Sequence, residues 1–170
     1  MAGPRRFTVG GPFEVATRGA PRSKSLDRSA YRDLWANAAE KWRDERGCYV
    51  FALRRGRGYL PIYVGKTTRQ SFEKECFVDR NYRLLHEALS GESGTLVLFL
   101  LKYEATRGRF NEDVVGDLEK YLVETALERN RNLKNRVYTN QRPGFAIRGL
   151  HREPGRPSKP ATELKKALGL

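Results

Sequence analysis

Apolar residues recur at two different periods along this 170-residue chain, and the period changes where the element type changes. From Asp27 onward, Tyr31, Leu34, Trp35, Ala38, Ala39 and Trp42 fall three and four residues apart, which gathers them on one face of a helix. Two β-rich runs follow, CYVFAL (Cys48 to Leu53) and LPIYVG (Leu60 to Gly65). The RRGRGY between them carries glycines suited to a hairpin loop. Ser71 to Phe77 and Asn81 to Leu89 return to a helical period, with a break near Asp79. Their buried set is Phe72, Cys76, Leu84, Leu85, Ala88 and Leu89. TLVLFLLKY (Thr95 to Tyr103) is an almost unbroken apolar run bounded by turn residues, the pattern of a strand covered on both faces. Helical spacing resumes from Glu112 to Arg129 and again, briefly, from Ala161 to Leu168.

This order predicts an α+β fold in which a small three-stranded, mainly antiparallel β-sheet is flanked by helices. Residues 1–25 are rich in Gly, Pro, Arg and Ser with little periodicity and read as an irregular arm. The chain therefore divides into a basic arm with an N-terminal helix (1–44), a folded core (45–140) and a basic C-terminal extension (141–170). No internal repeat is evident, and a layout of this kind specifies no function by itself.

Charge changes the picture. The chain holds 33 Lys and Arg against 20 Asp and Glu, a formal net charge of +13. Such an excess points to a polyanionic partner, because Lys and Arg gain affinity by releasing counterions from nucleic-acid phosphates. Arg5, Arg6, Arg18, Arg22 and Lys24 in the arm, and Arg142, Arg148, Arg152, Arg156, Lys159, Lys165 and Lys166 in the tail, are placed to grip phosphates without reading bases. No run reaches transmembrane length, and MAGPRRFTVGGPFEV lacks the apolar core of a signal peptide. A cytoplasmic protein with no membrane partner is expected. Cys48 and Cys76 sit inside apolar patterns without metal-ligand spacing and read as buried thiols.

The candidate chemistry lies in the hairpin, where a Tyr-Val pair occurs twice, as Tyr49-Val50 and Tyr63-Val64. Paired strands can bring both phenols to one face, although a slip of one residue would separate them. Gly65-Lys66-Thr67 imitates the end of a phosphate-binding P-loop. That motif needs a glycine five residues earlier, where this chain has Leu60, so nucleoside triphosphate binding is rejected.

GCYVF followed by IYVGKT resembles the paired signature of the GIY-YIG nuclease family, and the similarity runs from about Gly47 to Asn135. The resemblance implies a GIY-YIG-like domain that hydrolyses phosphodiesters as a divalent-metal-dependent endonuclease. The family also carries a glutamate on the helix after the third strand. On a wheel of about 100° per residue, Val115, Leu118, Leu122, Thr125 and Ala126 share one face, and Glu119 alone among the acids lies at its border. Glu119 is thus the matching residue, and the resemblance makes it the ligand of a single Mg²⁺ or Mn²⁺ ion.

By the same resemblance Tyr49 and Tyr63 line the site, one of them handling the proton of the attacking water, while Lys66 activates that tyrosine or binds phosphate. Asn135 supports the site or contacts the nucleic-acid backbone. Family members usually carry an arginine about ten residues beyond the second motif tyrosine. Here that stretch is Glu73-Lys74-Glu75, so Lys74 is the nearest catalytic cation, with Arg69, Arg80 and Arg83 as substitutes on the nucleic-acid-binding surface. His86 reads as a structural or nucleic-acid-contacting side chain rather than a catalyst. DNA is favoured over RNA as the partner. The alternatives are a non-catalytic nucleic-acid-binding protein on the same fold, motivated by the missing arginine, and a small basic RNA-associated protein.

Overall fold

The computed structural model describes residues 5–105, 109–134, 145–151 and 155–170. Its centre is a hairpin of β4 (Gly47–Arg55) and β5 (Gly58–Thr67), which turns on Gly56 and Arg57 alone. The turn is therefore tighter than the RRGRGY loop read from sequence. Strand β6 (Thr95–Glu104) pairs antiparallel with the other edge of β4.

The expectation of a three-stranded, mainly antiparallel sheet is overturned. The sheet has five strands in the order β5-β4-β6-β1-β7, where β1 is Arg5–Glu14 and β7 is Phe145–Ile147. It is curled and mixed, because β7 runs parallel to β1 while the other neighbours are antiparallel. The supposed arm is thus the strand that joins β6 to the C-terminal segment. Gly10, Gly11 and Pro12 hide this strand by resembling a turn. Gly10 lies under the indole of Trp42, which a Cβ would meet at 2.4 Å, and β1 shifts register against β6 between Gly10 and Phe13. These small residues serve close approach and a bulge.

Elsewhere the periodicities hold. The first helical pattern splits into α1 (Ala30–Ala36) and a 3₁₀ turn (Glu40–Trp42), burying Leu34, Trp35 and Ala39. The next becomes α2 (Phe72–Glu75) and α3 (Asp79–Leu89), and the long one α4 (Glu112–Arg129), capped by the Asn111 side chain accepting from the Val114 amide. Helix α5 (Lys159–Leu168) closes the chain, and a two-stranded ribbon of β2 (Thr17–Arg18) and β3 (Ser25–Leu26) stands apart from the main sheet.

Alternation along the strands builds a core on each face. Cys48, Val50, Ala52, Val97 and Phe99 pack with Val115, Leu118, Leu122 and Leu164 of α4 and α5. Tyr49, Phe51, Leu53 and Leu98 pack with Trp35, Phe72, Leu85 and Leu89 on the opposite face. Strand β5 is an end strand of the sheet, with α4, α3 and α2 all touching it. Among the described residues no helix is long and apolar enough to cross a membrane.

Candidate functional site

Register decides whether the two tyrosines meet. Tyr49 pairs with Gly65 and Phe51 with Tyr63, which sets the phenols on one face at diagonal positions of the hairpin. Their ring centroids are 6.1 Å apart at an interplanar angle of 38°. Gly65 makes this possible, because the Tyr49 ring lies across it: a Cβ there would meet Tyr49 Cζ at 2.4 Å and its hydroxyl at 2.5 Å. Gly47, the other motif glycine, presses against the Leu101 carbonyl in the same way. Gly65 is thus a packing requirement of the tyrosine pair, and Gly47 one of the close pairing of β4 with β6.

Tyr49 is 1% exposed and Tyr63 7%. The Tyr49 hydroxyl accepts a 2.7 Å hydrogen bond from Asn81 Nδ2 of α3. Burial drives the Tyr49 pKa far above the ordinary phenol value, and neighbouring Cys76 and Tyr63 add to the rise, with the Asn81 bond opposing it. Burial also raises the pKa of Tyr63, but the neighbouring Tyr49 phenol and the charge of Arg80 pull it back, while Glu119 and Glu75 push it up. The Tyr63 phenol is the contested group.

Glu119 comes from the other side of the β5 edge. It is half-buried, as the helical wheel requires, yet so are Asp117 and Glu124. What distinguishes Glu119 is its partner: its Oε2 lies 3.0 Å from Nζ of Lys66, an exposed residue of β5. Lys66 reaches it across Gly116, where a side chain would begin 3.6 Å from the ammonium. The pair also brackets the Cys48 thiol, which burial pushes well up, with Glu119 raising it further and Lys66 opposing. Cys48 donates to the Val115 carbonyl at 3.3 Å and is a neutral core thiol, as is buried Cys76.

The predicted residues therefore sort into groups. Tyr49 and Tyr63 with Arg80 of α3 lie on one face of the β5 edge and Lys66 with Glu119 on the other, linked by ring contact, ion pair or field. Lys74 is exposed on α2, and no ion pair or side-chain hydrogen bond joins it to this group. Arg80, from the first turn of α3, is the cation that acts on Tyr63. Arg69 is exposed in the turn after β5, and Arg83 and His86 are exposed on α3, whose Arg80, Arg83 and His86 are spaced three residues apart along one side. Asn135 lies outside the described residues. Sequence reasoning missed Asn81, a buried polar residue whose helical context carries no signal of its tyrosine partner.

Among the described residues no group of three or more His, Cys, Asp or Glu side chains could cage a metal ion. Glu119 offers a single carboxylate, partly open to solvent, which fits a hard cation that keeps most of its waters and takes substrate oxygens. The site is an open edge rather than a deep cavity. A 670 Å³ depression lined by Arg54, Arg57, Tyr59, Lys159 and Lys166 lies instead at the hairpin tip. A polymeric substrate lying along a surface needs no deep cavity, so the convergence of charges outweighs concavity in locating the site. No family model, curated protein or solved structure matches this chain.

Proposed function

We propose that the protein is a GIY-YIG-type endonuclease that hydrolyses nucleic-acid phosphodiester bonds, DNA in preference to RNA, with one divalent cation. The observation that carries this reading is the convergence of two touching phenols, Arg80, Lys66 and Glu119 on one strand edge. Water attacks phosphorus and the bond from phosphorus to the 3′ oxygen breaks; Tyr63, having first lost its own proton to solvent, takes the water proton as a phenolate, and the departing 3′ oxygen takes up a proton from solvent. Arg80 offers a guanidinium fork to the equatorial oxygens, which a lysine at position 74 would not. Lys66 stands where it can follow the charge on the phosphate. A Mg²⁺ or Mn²⁺ ion on Glu119 would supply positive charge for the departing oxygen and cancel the carboxylate that holds the Tyr63 proton in place. The net charge of +13 holds the substrate, and Arg69, Arg83 and His86 extend the contact surface. Free, buried Cys48 and Cys76 accord with a cytoplasmic setting.

The second reading, a binding protein without catalysis, is favoured by one feature: Lys66 already satisfies Glu119 at 3.0 Å. One experiment separates the two. Supercoiled plasmid, single-stranded DNA and RNA are each incubated with the protein in Mg²⁺ or Mn²⁺ against EDTA, alongside Glu119→Ala. Metal-dependent cleavage lost in the variant is the expected result. Salt-sensitive binding with no nicking of any substrate would replace the nuclease by the binding protein.

A further inference from the structure

The tip of the β4–β5 hairpin and the start of α5 together form the 670 Å³ depression. Its lining divides by exposure: Pro12, Tyr59 and Pro160 are buried or half-buried, whereas Arg57, Lys159 and Lys166 are exposed. The acids close by already have partners. Glu163 accepts from the Tyr59 hydroxyl at 2.6 Å and from Lys166 at 2.8 Å, and Glu14 pairs with Arg54. Among the described residues Arg57 makes no ion pair or side-chain hydrogen bond, and Lys159 reaches Glu163 only through its field. Two uncommitted cations beside one depression form a receptor for negative charge.

Position decides which anion. Tyr59 belongs to the sheet face that α4 and α5 cover, and Lys66, opposite Cys48 of that same face, meets Glu119 of α4. The depression and Lys66 therefore stand at opposite ends of β5 on one side of the sheet. From Gly58 to Lys66 the strand runs about 25 Å. That is the length of about 7 base pairs of duplex. Between the two ends the segment after α4 lies along the strand, where Asn130 Nδ2 donates to the Pro61 carbonyl at 2.7 Å and the Lys134 amide to the Ile62 carbonyl at 3.0 Å. A linear polyanion fits cations placed at two ends of one strand, which a small free anion cannot span. We propose that the hairpin-tip depression is a second docking point for the nucleic-acid backbone, taking phosphates on Arg57 and Lys159 while Lys66 meets the same strand of phosphates at the far end. The inference rests on nucleic acid as the substrate and on the phosphate role given to Lys66, but not on cleavage.

The test is fluorescence anisotropy of the full-length chain in EDTA, with labelled duplexes of about 6 and about 18 base pairs titrated across a range of salt. On the long duplex, Arg57→Ala with Lys159→Ala should weaken binding at least about tenfold near 0.1 M salt and lower the slope of log K against log salt by about two. On the short duplex, which cannot reach both ends of β5, the loss should be at most about threefold. The control pair, Arg32→Ala with Lys41→Ala, removes the same charge from exposed residues of α1 and the 3₁₀ turn and should change the slope by less than about half a unit. Equal losses for the two pairs, or equal losses on the two duplexes, would overturn the docking point. Should the variant melt below the wild type, the wild type itself decides: the long duplex should protect Lys159 from an amine-reactive reagent, read by mass spectrometry, and leave Lys41 reactive. A Lys159 that stays reactive overturns the inference, as does protection by inorganic phosphate alone. The plasmid assay is independent of this result. Docking without cleavage removes the nuclease reading alone, cleavage with unaltered binding in the variant removes only the docking point, and a chain that binds neither duplex overturns the docking point whatever the plasmid assay shows.

Discussion

Gly65→Ala is the most direct perturbation of the site, because the structure gives the collision atom by atom. A Cβ at position 65 would stand 2.4 Å from Tyr49 Cζ, 2.5 Å from its hydroxyl and 2.8 Å from Cε2, where ordinary contact begins near 3.4 Å. The ring must therefore retreat by about 1 Å, and it has nowhere to go, since Tyr49 is 1% exposed and packs edge-on against Phe51. A shift of that size also stretches the 2.7 Å bond from Asn81 past the limit of a hydrogen bond. Overpacking costs about 1–3 kcal/mol and the lost buried bond about 1–3 kcal/mol, so about 3 kcal/mol in total is a central value. For a chain of this size that lowers the melting temperature by about 6–12 °C. The assay is thermal and urea unfolding followed by circular dichroism, with Gly58→Ala as the control. Position 58 has ordinary backbone angles and only the Arg55 carbonyl at 3.8 Å, so alanine there should change stability by less than about 1 kcal/mol. Tyr49→Phe should not rescue Gly65→Ala, because the Cζ contact remains, whereas Tyr49→Leu should recover part of the loss. A Gly65→Ala protein melting within about 2 °C of the wild type would show that the two motifs do not interlock as described.

Other consequences are as specific. Arg80→Ala should reduce cleavage more than Lys74→Ala, and each should lower the salt dependence of binding by at most about one unit of slope, measured by filter binding between low and moderate salt; equal losses of cleavage would remove the special place of Arg80. Lys66→Met should leave the melting temperature nearly unchanged, since a half-exposed ion pair contributes about 0.5 kcal/mol, but should tighten Mn²⁺ binding at Glu119, read by paramagnetic resonance; weaker Mn²⁺ binding would mean that the lysine does not compete for the carboxylate. Tyr59, bonded to Glu163 at 2.6 Å, has its pKa pushed up from 10.0 to about 12 by burial and by that carboxylate. The folded state holds this proton more tightly than the unfolded one, so the stabilisation is complete below about pH 10 and is lost as pH rises toward 12. Tyr59→Phe should flatten that alkaline decline in urea midpoints, and an unchanged slope would assign the decline to the buried phenols of Tyr49 and Tyr63 instead.

How much of this was legible in the sequence depended on whether a residue's role was local. The hairpin, β6 and α4 follow from periodicity, because burial on one or both faces is written into every second or every third and fourth position. Glu119 could be placed at the border of its helix for the same reason, and its half-burial agrees. Strand β1 was illegible, because its glycines answer to Trp42 and β6, partners that lie far along the chain. Without β1 strand β7 is illegible as well, since among the described residues Phe145–Ile147 has no other strand to join.

The same distinction explains the arginine. Counting residues from the second tyrosine motif leads to Glu73-Lys74-Glu75, on a helix of only four residues. Linear spacing transfers between proteins only if the elements between are equally long, and here α2 ends at Glu75 before the chain turns at Val78 to begin α3. That turn sets Arg80 where its charge acts on Tyr63, which under the proposed nuclease reading gives it the place of the arginine, and brings Asn81 in behind Tyr49. Two consecutive residues of α3 thus face different surroundings, the exposed Arg80 acting on Tyr63 and the Asn81 amide turned into the core. A motif missing its arginine at the usual spacing is therefore not evidence that the charge is missing. The charge has to be sought on whichever helix turn the fold places against the phenol, and an Arg80→Lys protein that kept full cleavage would show that a fork is not what the position supplies.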